Sequence, residues 1–491
     1  MSPKLHFYPI KIAVLTACFI FFTQCSRNPV TGKKQLMFMS ESQEMALGAE
    51  SNPQVLAEFG VYPDSNLQRY FNTIGDRMVK ISHRPALPFQ FKVVDSPVVN
   101  AFAVPGGYVY FTRGILAYFN DEAQLAGVLG HEIGHVTARH GATQQTQQML
   151  GQVAFIGAMI ASPKLAQFGE QLGQGLQLLF LKFSRDDESQ ADELGVQYSS
   201  KIGFDAQHMA AFFNTLGRLS AGEDGSQRVP TFLSTHPDPG DRNKKVQAMA
   251  LDFQAKNPGN FIINRDGYLR MINGIIYGED PNQGFVENNV FYHPELKFQF
   301  AIPQSWKYVN SPTQFQMASA DKKALMIMTL APEKSLGEAA KNFVEKNKLQ
   351  GVSQQNSTVN GLPAIVQVVD QVTAAQQGQP AQTIRIATTY IDYNGMIYMI
   401  HGVADIKNFA THESTFGNTM KSFRVLTDPS KLNVKPERIK VQTTYSEATL
   451  SEILKGFGTP EKRLKELSIV NGMMLTDRIA RGTLIKTISN K

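Results

Sequence analysis

The spacing of apolar residues predicts a mainly helical first half of the chain. Apolar positions recur at intervals of three and four residues around 40–57, 67–81 and 122–141, which is the period of an α-helix with a buried face. Short apolar runs at 89–94 and 108–112 predict two strands, with Pro105-Gly106-Gly107 between them. Helices packed around a small sheet are therefore expected here.

The pattern changes to extended segments after residue 284. Strands are predicted at 298–302, 324–330, 364–372, 383–392 and 396–402, with Asn394-Gly395 as a type I′ turn before the last. Helices are predicted from Ser335 and over 407–423. From residue 438 onward a strand, two helices and a strand follow. The second half is thus expected to be an antiparallel α+β domain followed by a small βααβ module.

The N-terminus has the pattern of an export signal. Lys4 and Lys11 precede the apolar run 12–22, which is short for a membrane span but typical of a secretory signal peptide. Cys18 and Cys25 are the two cysteines of the chain, so no disulfide framework is expected in the body of the protein. Lipidation is predicted at Cys25, because polar residues follow it, although the residues before Cys18 fit the lipidation signal better. The alternative is an uncleaved signal anchor.

Composition narrows the class of protein. The 491 residues are 42% hydrophobic and 18% charged, which is ordinary for a globular protein with a substantial core. The formal net charge is +6, and the lysines and arginines are scattered rather than clustered in stripes. Nucleic-acid binding is therefore not expected.

Two histidines four residues apart, His131 and His135, lie on the helix predicted at 122–141, and Glu132 directly follows the first. The helical period stacks both imidazoles on one face, where they can reach one metal ion. This spacing is typical of zinc hydrolases, in which the glutamate takes a proton from water. The alternative is an amphipathic helix with two surface or core histidines, so a third ligand is required.

His140 is not expected to be that ligand, because on a continuous helix it points about 140° away from the preceding histidine. Alanine at position 138 and glycine at 141 also exclude the longer motif with a third histidine. Glu188 and Asp192 lie four residues apart on another predicted helix. Glu188 would complete a His/His/Glu site, and Asp192 could accept a proton from a ligating imidazole. The alternative is an acidic helix face that holds no metal.

Four motifs occur together in this chain. They are Asn100-Ala101-Phe102-Ala103-x-Pro105-Gly106-Gly107, His131-Glu132-x-x-His135, Ser184-Arg185-x-x-Glu188-x-x-Ala191-Asp192, and Ser234-Thr235-His236-Pro237 with Arg242. In this order the motifs resemble the zinc peptidase family of the HtpX heat-shock protease and the CAAX prenyl protease. The resemblance covers about residues 40–255, and the segment after Cys25 resembles the soluble bacterial lipoprotein members. Unlike HtpX, the chain has no series of membrane spans in its sequence.

This resemblance implies one zinc ion per chain, held by His131, His135 and Glu188. Glu132 would be the general base, and Asp192 would orient a ligating imidazole. Two roles are open for His236: it contacts the transition-state oxyanion together with Arg242, or it occupies the open zinc position in a self-inhibited resting state. A third reading is a histidine packed in a turn before the next helix.

A substrate-binding strand is implied as well. An edge strand before the metal helix could pair with an extended peptide by strand addition. The residues expected to bind substrate are Asn100, Ala101, Phe102, Ala103, Gly106 and Gly107. From the pattern alone, an ordinary hairpin is an equal alternative.

The expected organisation is therefore a multidomain α+β protein. Its predicted parts are a signal peptide (1–24), a lipid-anchored tether (25–39), a mainly helical zincin-type zinc metallopeptidase domain with a small sheet (40–255), a connector (256–284), an α+β domain (285–427), a linker (428–437) and a LysM-like module (438–491). Glu447-Ala448 replaces the usual Gly-Asp of LysM modules, so contact with peptidoglycan is left open.

The expected function is hydrolysis of unfolded or misassembled envelope proteins by a zinc metalloendopeptidase. The expected location is the periplasm of a Gram-negative bacterium, with a lipid anchor in the outer membrane. The alternative is a chaperone or cell-wall-associated binding protein with a vestigial zinc site. Structural zinc sites are usually closed and rich in cysteine, and the absence of cysteine after residue 25 counts against that alternative.

Overall fold

The computed structural model of the protein describes residues 25–146, 183–223, 230–236, 241–373 and 382–490. The predicted signal peptide lies outside these residues. The chain forms two compact units. The first unit contains the described residues up to Leu56, Gly60–Gly278 and Arg438–Ser489, and the second contains Ala57–Phe59 and Glu279–Glu437.

The first unit is built from helices and a three-stranded sheet. Its elements up to residue 278 are β1 (Cys25–Arg27), β2 (Lys34–Leu36), α1 (Glu41–Phe59), α2 (Ser65–Val79), β3 (Gln90–Val94), β4 (Ala101–Val104), β5 (Tyr108–Thr112), α3 (Arg113–Tyr118), α4 (Glu122–Thr137), α5 (Arg185–Lys201), α6 (Gln207–Ser220), α7 (Thr231–Thr235), α8 (Arg242–Lys256) and α9 (Arg265–Met271). No helix within the described ranges is both long and apolar enough to cross a membrane.

Helix α4 lies at the centre of this unit. The Asp121 side chain caps its first turn by accepting a hydrogen bond from Gln124 N at 2.8 Å. All residues of α4 are buried, as expected for a helix surrounded by other elements on every side. The sheet order is β3-β5-β4, with β3 parallel and β4 antiparallel to β5. The helices predicted at 40–57 and 67–81, the start of the helix predicted at 122–141 and both predicted strands are confirmed within a few residues.

Glycines allow α4 and α5 to approach each other closely. A Cβ on Gly130 would lie 3.0 Å from the Gly195 carbonyl oxygen, and a Cβ on Gly195 would lie 3.0 Å from the Gly127 carbonyl oxygen and 3.1 Å from the His131 nitrogen. These distances are shorter than ordinary contacts, so a larger residue would separate the helices. The close approach brings the acidic face of α5 to the histidines of α4.

The second unit consists of antiparallel sheets and helices. Its elements are β6 (Phe285–Glu287), β7 (Val290–His293), β8 (Phe298–Ala301), β9 (Lys307–Asn310), β10 (Gln314–Ala318), β11 (Ala324–Ala331), α10 (Leu336–Lys346), β12 (Gln350–Val359), β13 (Leu362–Thr373), β14 (Gln382–Tyr393), β15 (Met396–Asp405), α11 (Ile406–Lys421), β16 (Arg424–Val425) and α12 (Pro429–Leu432). The sheet orders are β12-β13-β14-β15-β11-β10-β9 and β16-β8-β7-β6. Asn394 and Gly395 have φ angles of 53° and 73°, as the predicted type I′ turn requires.

The C-terminal segment packs into the first unit. It contains β17 (Arg438–Thr443), β18 (Ala448–Thr449), α13 (Leu450–Gly456), α14 (Leu464–Val470), β19 (Arg478–Ile479) and β20 (Leu484–Ser489). Ile439 and Ile485 belong to the same hydrophobic core as α4. Lys486 is fully buried, and its Nζ donates hydrogen bonds of 2.8 Å to the carbonyl oxygens of Ala117 and Phe119. The strand-helix-helix-strand order agrees with the sequence pattern, whereas the LysM resemblance and the domain boundaries remain predictions.

Candidate metal centre

Four side chains of the first unit converge on one point. His131, His135, Glu188 and His236 each place a donor atom within 4.8 Å of the others, and all four are buried. His131 and His135 come from successive turns of α4, Glu188 comes from the first turn of α5, and His236 directly follows α7. The close packing of α4 on α5 thus unites residues that are 53 positions apart in sequence, from His135 to Glu188.

The distances between donor atoms suit a small metal ion. His131 Nε2 lies 2.9 Å from His135 Nε2 and 3.4 Å from His236 Nδ1. Glu188 Oε1 lies 3.4 Å from His135 Nε2 and 2.9 Å from His236 Nδ1. Ligand atoms around a tetrahedral zinc ion are about 3.4 Å apart, given bonds of about 2.1 Å. Three imidazoles and one carboxylate are also ligand types that zinc prefers, so the residues present fit this metal.

Electrostatics keep two of these side chains, His135 and Glu188, in the forms that bind metal. Burial lowers the pKa of His135 well below its usual range, and the neighbouring His131 acts in the same direction, so the His135 ring is neutral. Burial opposes ionisation of Glu188, but His236 and Arg242 outweigh it and hold the pKa of Glu188 well below its usual range. A neutral imidazole and an ionised carboxylate are the states that coordinate zinc.

Asp192 and Arg242 support the opposite side of His131. Asp192 Oδ1 lies 3.0 Å from His131 Nδ1, the ring nitrogen that does not face the other ligands. Arg242 donates to both Asp192 oxygens at 2.7 Å, and its guanidinium stacks over the Phe213 ring at 4.3 Å. Arg242 Nη1 also lies 2.9 Å from Glu188 Oε2. The arginine therefore links the carboxylate that orients His131 with the carboxylate of the centre.

Glu132 is placed as a proton acceptor beside the centre. It is fully buried, and within the described ranges neither of its carboxylate oxygens has a hydrogen-bond partner. Burial raises the pKa of Glu132, with the charges of His236 and His131 opposing this. A buried carboxylate without donors is costly, so its position is suited to exchanging a proton with a reacting molecule rather than to stabilising the fold.

His236 lies in the centre itself and not in a separate turn. Its ring stacks on Phe232 with centroids 4.4 Å apart, and its Nδ1 faces Glu188 and His131. Its Nε2 lies 3.6 Å from Glu132 Oε1. Burial opposes protonation of His236, but the charges of Glu188 and Glu132 raise its pKa. By position, His236 is therefore the fourth member of the cluster of possible ligands.

The prediction that α4 continues through residue 141 is wrong. The helix ends at Thr137, and Arg139 has a φ of 60°, so the chain turns before a second helical stretch at residues 140–146. This turn brings His140 Nδ1 to 2.9 Å from His135 Nδ1. The angular argument about His140 therefore assumed the wrong backbone. His140 is nevertheless outside the ligand cluster, because it contacts the ring nitrogen that faces away from it.

Sequence reasoning also missed Phe183. Its ring stacks on His135, with centroids 3.9 Å apart and planes inclined by 24°. Phe183 directly precedes the Ser-Arg motif of α5. Its position next to that motif was the one sequence feature that could have indicated contact with the centre. An isolated phenylalanine does not by itself indicate such a role.

The residues predicted to bind substrate lie in one hairpin. Strand β4 forms an edge of the three-stranded sheet among the described strands, and Gly106 and Gly107 form the turn with φ angles of 87° and 97°. Asn100 precedes β4, and its buried Oδ1 has no partner within the described ranges. Phe232 N donates to Val99 O at 3.1 Å, which ties the start of this hairpin to the helix that precedes His236. The two readings of this segment, an edge strand and an ordinary hairpin, therefore describe the same element.

Comparison with known proteins identifies the region that carries this centre. Residues 65–250 match the family model described as Peptidase family M48. A beta-barrel assembly-enhancing protease of Yersinia pestis is 34% identical over 212 residues, covering 42% of this chain and 43% of that protein. The mitochondrial metalloendopeptidase OMA1 of Schizosaccharomyces pombe is 28% identical over 244 residues, covering 48% of this chain and 69% of that protein.

The chain is also weakly similar to solved structures. The Ran-binding protein Mog1p of Saccharomyces cerevisiae is matched over 30% of this chain and 99% of its own, with 15% identity and a TM-score of 0.23. The chain spans less than half the length of the bacterial relative above. The narrower resemblance to HtpX and the CAAX prenyl protease remains a prediction. Residues 65–250, which hold the His-Glu-x-x-His motif and its glutamate partner, are thus similar in sequence to Peptidase family M48 and to relatives named as proteases and metalloendopeptidases.

Proposed function

We propose that this chain is a zinc-dependent endopeptidase, with His131, His135 and Glu188 as zinc ligands. The convergence of these buried donors beside the unpartnered carboxylate of Glu132 is the observation that carries the proposal. With His236 the four donors would close the site, as in a structural zinc centre, but a structural centre has no need of a buried base at its side. The geometry therefore favours hydrolysis over a vestigial or structural metal.

The residues divide the work of peptide hydrolysis. When bound, zinc supplies a Lewis acid that polarises the scissile carbonyl and activates water. Glu132 takes the proton from the attacking water and passes it to the leaving amine. Asp192, held by Arg242, keeps the His131 ring oriented through its Nδ1. The hairpin with β4 binds the substrate main chain by strand addition, through Asn100–Ala103 and the two turn glycines.

His236 supports a resting state rather than a catalytic one in this conformation. Its Nδ1 lies as close to Glu188 and His131 as the ligands lie to each other, so with zinc bound it would take the position that substrate needs. We therefore favour the inhibitory role over the oxyanion role. His236→Ala is expected to raise the rate of peptide cleavage. A lower rate would support direct contact with the transition state, together with Arg242.

The substrates are proposed to be unfolded or misassembled envelope proteins. The relatives named beta-barrel assembly-enhancing protease support such a role, as does the predicted export signal. A lipid anchor at Cys25, outer-membrane attachment in the periplasm and peptidoglycan contact through residues 438–491 belong to the same proposal. Labelling with a radioactive fatty acid, with Cys25→Ser and Cys18→Ser in parallel, tests the anchor.

A direct experiment separates the protease from the alternative chaperone or binding protein. The purified full-length chain is incubated with unfolded casein, with a zinc chelator, and with the chelator followed by zinc. Cleavage that stops with chelator and returns with zinc supports the peptidase. Suppression of casein aggregation without any cleavage, in both the parent and His236→Ala, would instead support the chaperone.

A further inference from the structure

A buried pair of histidines lies directly behind the centre. His135 Nδ1 and His140 Nδ1 are 2.9 Å apart, and the two residues are only 2% and 1% exposed. His135 Nε2 faces His131 and Glu188, so its contact with His140 is made from the other side of the ring. His140 therefore contacts a ligand of the centre without belonging to the ligand cluster.

The geometry, together with metal binding by His135 Nε2, determines where the protons lie in this pair. A distance of 2.9 Å between two ring nitrogens is a hydrogen bond, in which one nitrogen donates and the other accepts. When His135 Nε2 offers its lone pair to a metal, the proton of the neutral ring is on Nδ1. His135 Nδ1–H then donates, and His140 Nδ1 accepts.

A further hydrogen bond holds His140 in the accepting form. With Nδ1 accepting, the His140 proton is on Nε2, which lies 2.9 Å from Gln190 Oε1, an atom that accepts only. Asp187 Oδ1 lies 3.6 Å from the same nitrogen and adds a favourable negative charge. The chain of donors thus runs in one direction, from His135 through His140 to Gln190 on α5.

The backbone around His140 is held as well. Arg139, with its φ of 60°, reverses the chain after α4, and its Nε donates to the buried carboxylate of Glu44 at 2.8 Å. Arg139 Nη2 also donates to the Met39 carbonyl oxygen at 2.9 Å. The Phe183 ring covers His135. These contacts hold His140 where it can accept the proton, and both histidines of the pair are buried.

We propose that His140 is a positioning residue that sets the tautomer and orientation of the zinc ligand His135. The two α4 ligands are then supported differently, since His131 donates to a carboxylate and His135 donates to an imidazole backed by an amide. Loss of such a partner typically lowers metal affinity about 10–100-fold, because the ring proton is left without an acceptor. The inference rests on zinc binding at the proposed site.

A matched pair of variants isolates the acceptor. His140→Asn places an amide oxygen near the position of Nδ1, whereas His140→Leu has a similar size and no acceptor. Zinc dissociation constants are measured on the full-length chain by competition with a chromophoric chelator, and thermal unfolding of the zinc-free variants serves as the structural control. Gln190→Leu, at the less buried end of the chain of donors, provides a second variant if His140→Leu does not fold.

The expected result is a zinc dissociation constant about 10–100-fold higher for His140→Leu and within a few-fold of the parent for His140→Asn. Zinc-free His140→Leu and His140→Asn should unfold at similar temperatures. Zinc binding by His140→Leu as tight as that of the parent overturns the inference, as does equally weakened binding by both variants. A parent chain that binds no zinc would instead refute the proposed function.

Discussion

Replacing Gly195 with alanine tests whether close packing of α4 on α5 assembles the centre. The added methyl group would lie 3.0 Å from the Gly127 carbonyl oxygen and 3.1 Å from the His131 nitrogen. Both are backbone atoms of the helix that carries the histidines, so they cannot rotate away. The two helices must separate by a few tenths of an ångström to restore ordinary contact distances, at a cost of about 1–3 kcal/mol.

A second glycine supplies the matched control. Gly217 lies within α6, and a Cβ there would meet no atom within 4 Å. Gly217→Ala and Gly195→Ala share the gain in helix propensity of about 1 kcal/mol. The difference between their unfolding free energies, expected to be about 1–3 kcal/mol, therefore measures the packing cost alone. Gly217→Ala should be more stable than the parent.

Urea denaturation of the zinc-free chain, followed by far-UV circular dichroism, measures these stabilities. Trp306 is the single tryptophan and lies in the second unit, so its fluorescence transition should be the same in all three proteins. Zinc affinity should fall in Gly195→Ala, because α5 carries Glu188 away from His131 and His135. Equal stability and equal zinc affinity of the two alanine variants would refute this account of the centre.

Two further predictions concern supports outside the centre. Lys486→Met should lower the unfolding free energy of the first unit by about 2 kcal/mol. Two buried carbonyl oxygens lose their hydrogen-bond donor, which costs about 1–3 kcal/mol each, and removal of one desolvated charge offsets part of this cost. Burial lowers the pKa of Lys486 well below 10.5, so the parent should gain stability as pH rises toward 10.5. In urea denaturation, Lys486→Met should lack this part of the gain. A pH profile that is the same as that of the parent would contradict the assignment. The hydrogen bond with Asp121 raises the pKa of His208, so its stabilising contribution is complete below about pH 6.5 and is lost as pH rises through the higher folded-state pKa. The stability difference between the parent and His208→Leu should therefore shrink from pH 6 to pH 9, and a difference that grows would contradict this.

Local sequence patterns were sufficient for the elements that carry the centre. The apolar period located the start of α4, and the four-residue spacing placed His131 and His135 on one face. Asn394-Gly395 located the hairpin of the second unit because only residues that tolerate positive φ suit that turn. These features depend on interactions between residues near in sequence.

The C-terminal end of α4 could not be predicted from local sequence patterns. Nothing in the residue types near position 138 marks a helix end, since the turn uses Arg139 in a left-handed conformation that glycine or asparagine would normally adopt. That conformation is stabilised by Glu44, a residue 95 positions earlier in the chain. The position of His140 thus depends on a distant ion pair, and sequence reasoning placed it incorrectly.

The packing of the C-terminal segment also depends on distant contacts. Its strand-helix-helix-strand pattern was visible in the sequence, whereas the burial of Ile439 and Ile485 in the same core as α4 was not. Lys486 resembles a surface residue in the sequence, and its two acceptors, Ala117 O and Phe119 O, lie more than 360 positions away. Composition alone does not reveal such a partner.

The central claim is that zinc is held by His131, His135 and Glu188 while Glu132 moves the proton. The most direct measurement combines zinc content and casein cleavage in the parent chain and in Glu132→Gln, which keeps the size of the side chain and removes its basicity. We expect one zinc ion per chain in both proteins and loss of cleavage in Glu132→Gln. A variant that keeps its zinc and still cleaves unfolded casein at the parental rate would contradict the account.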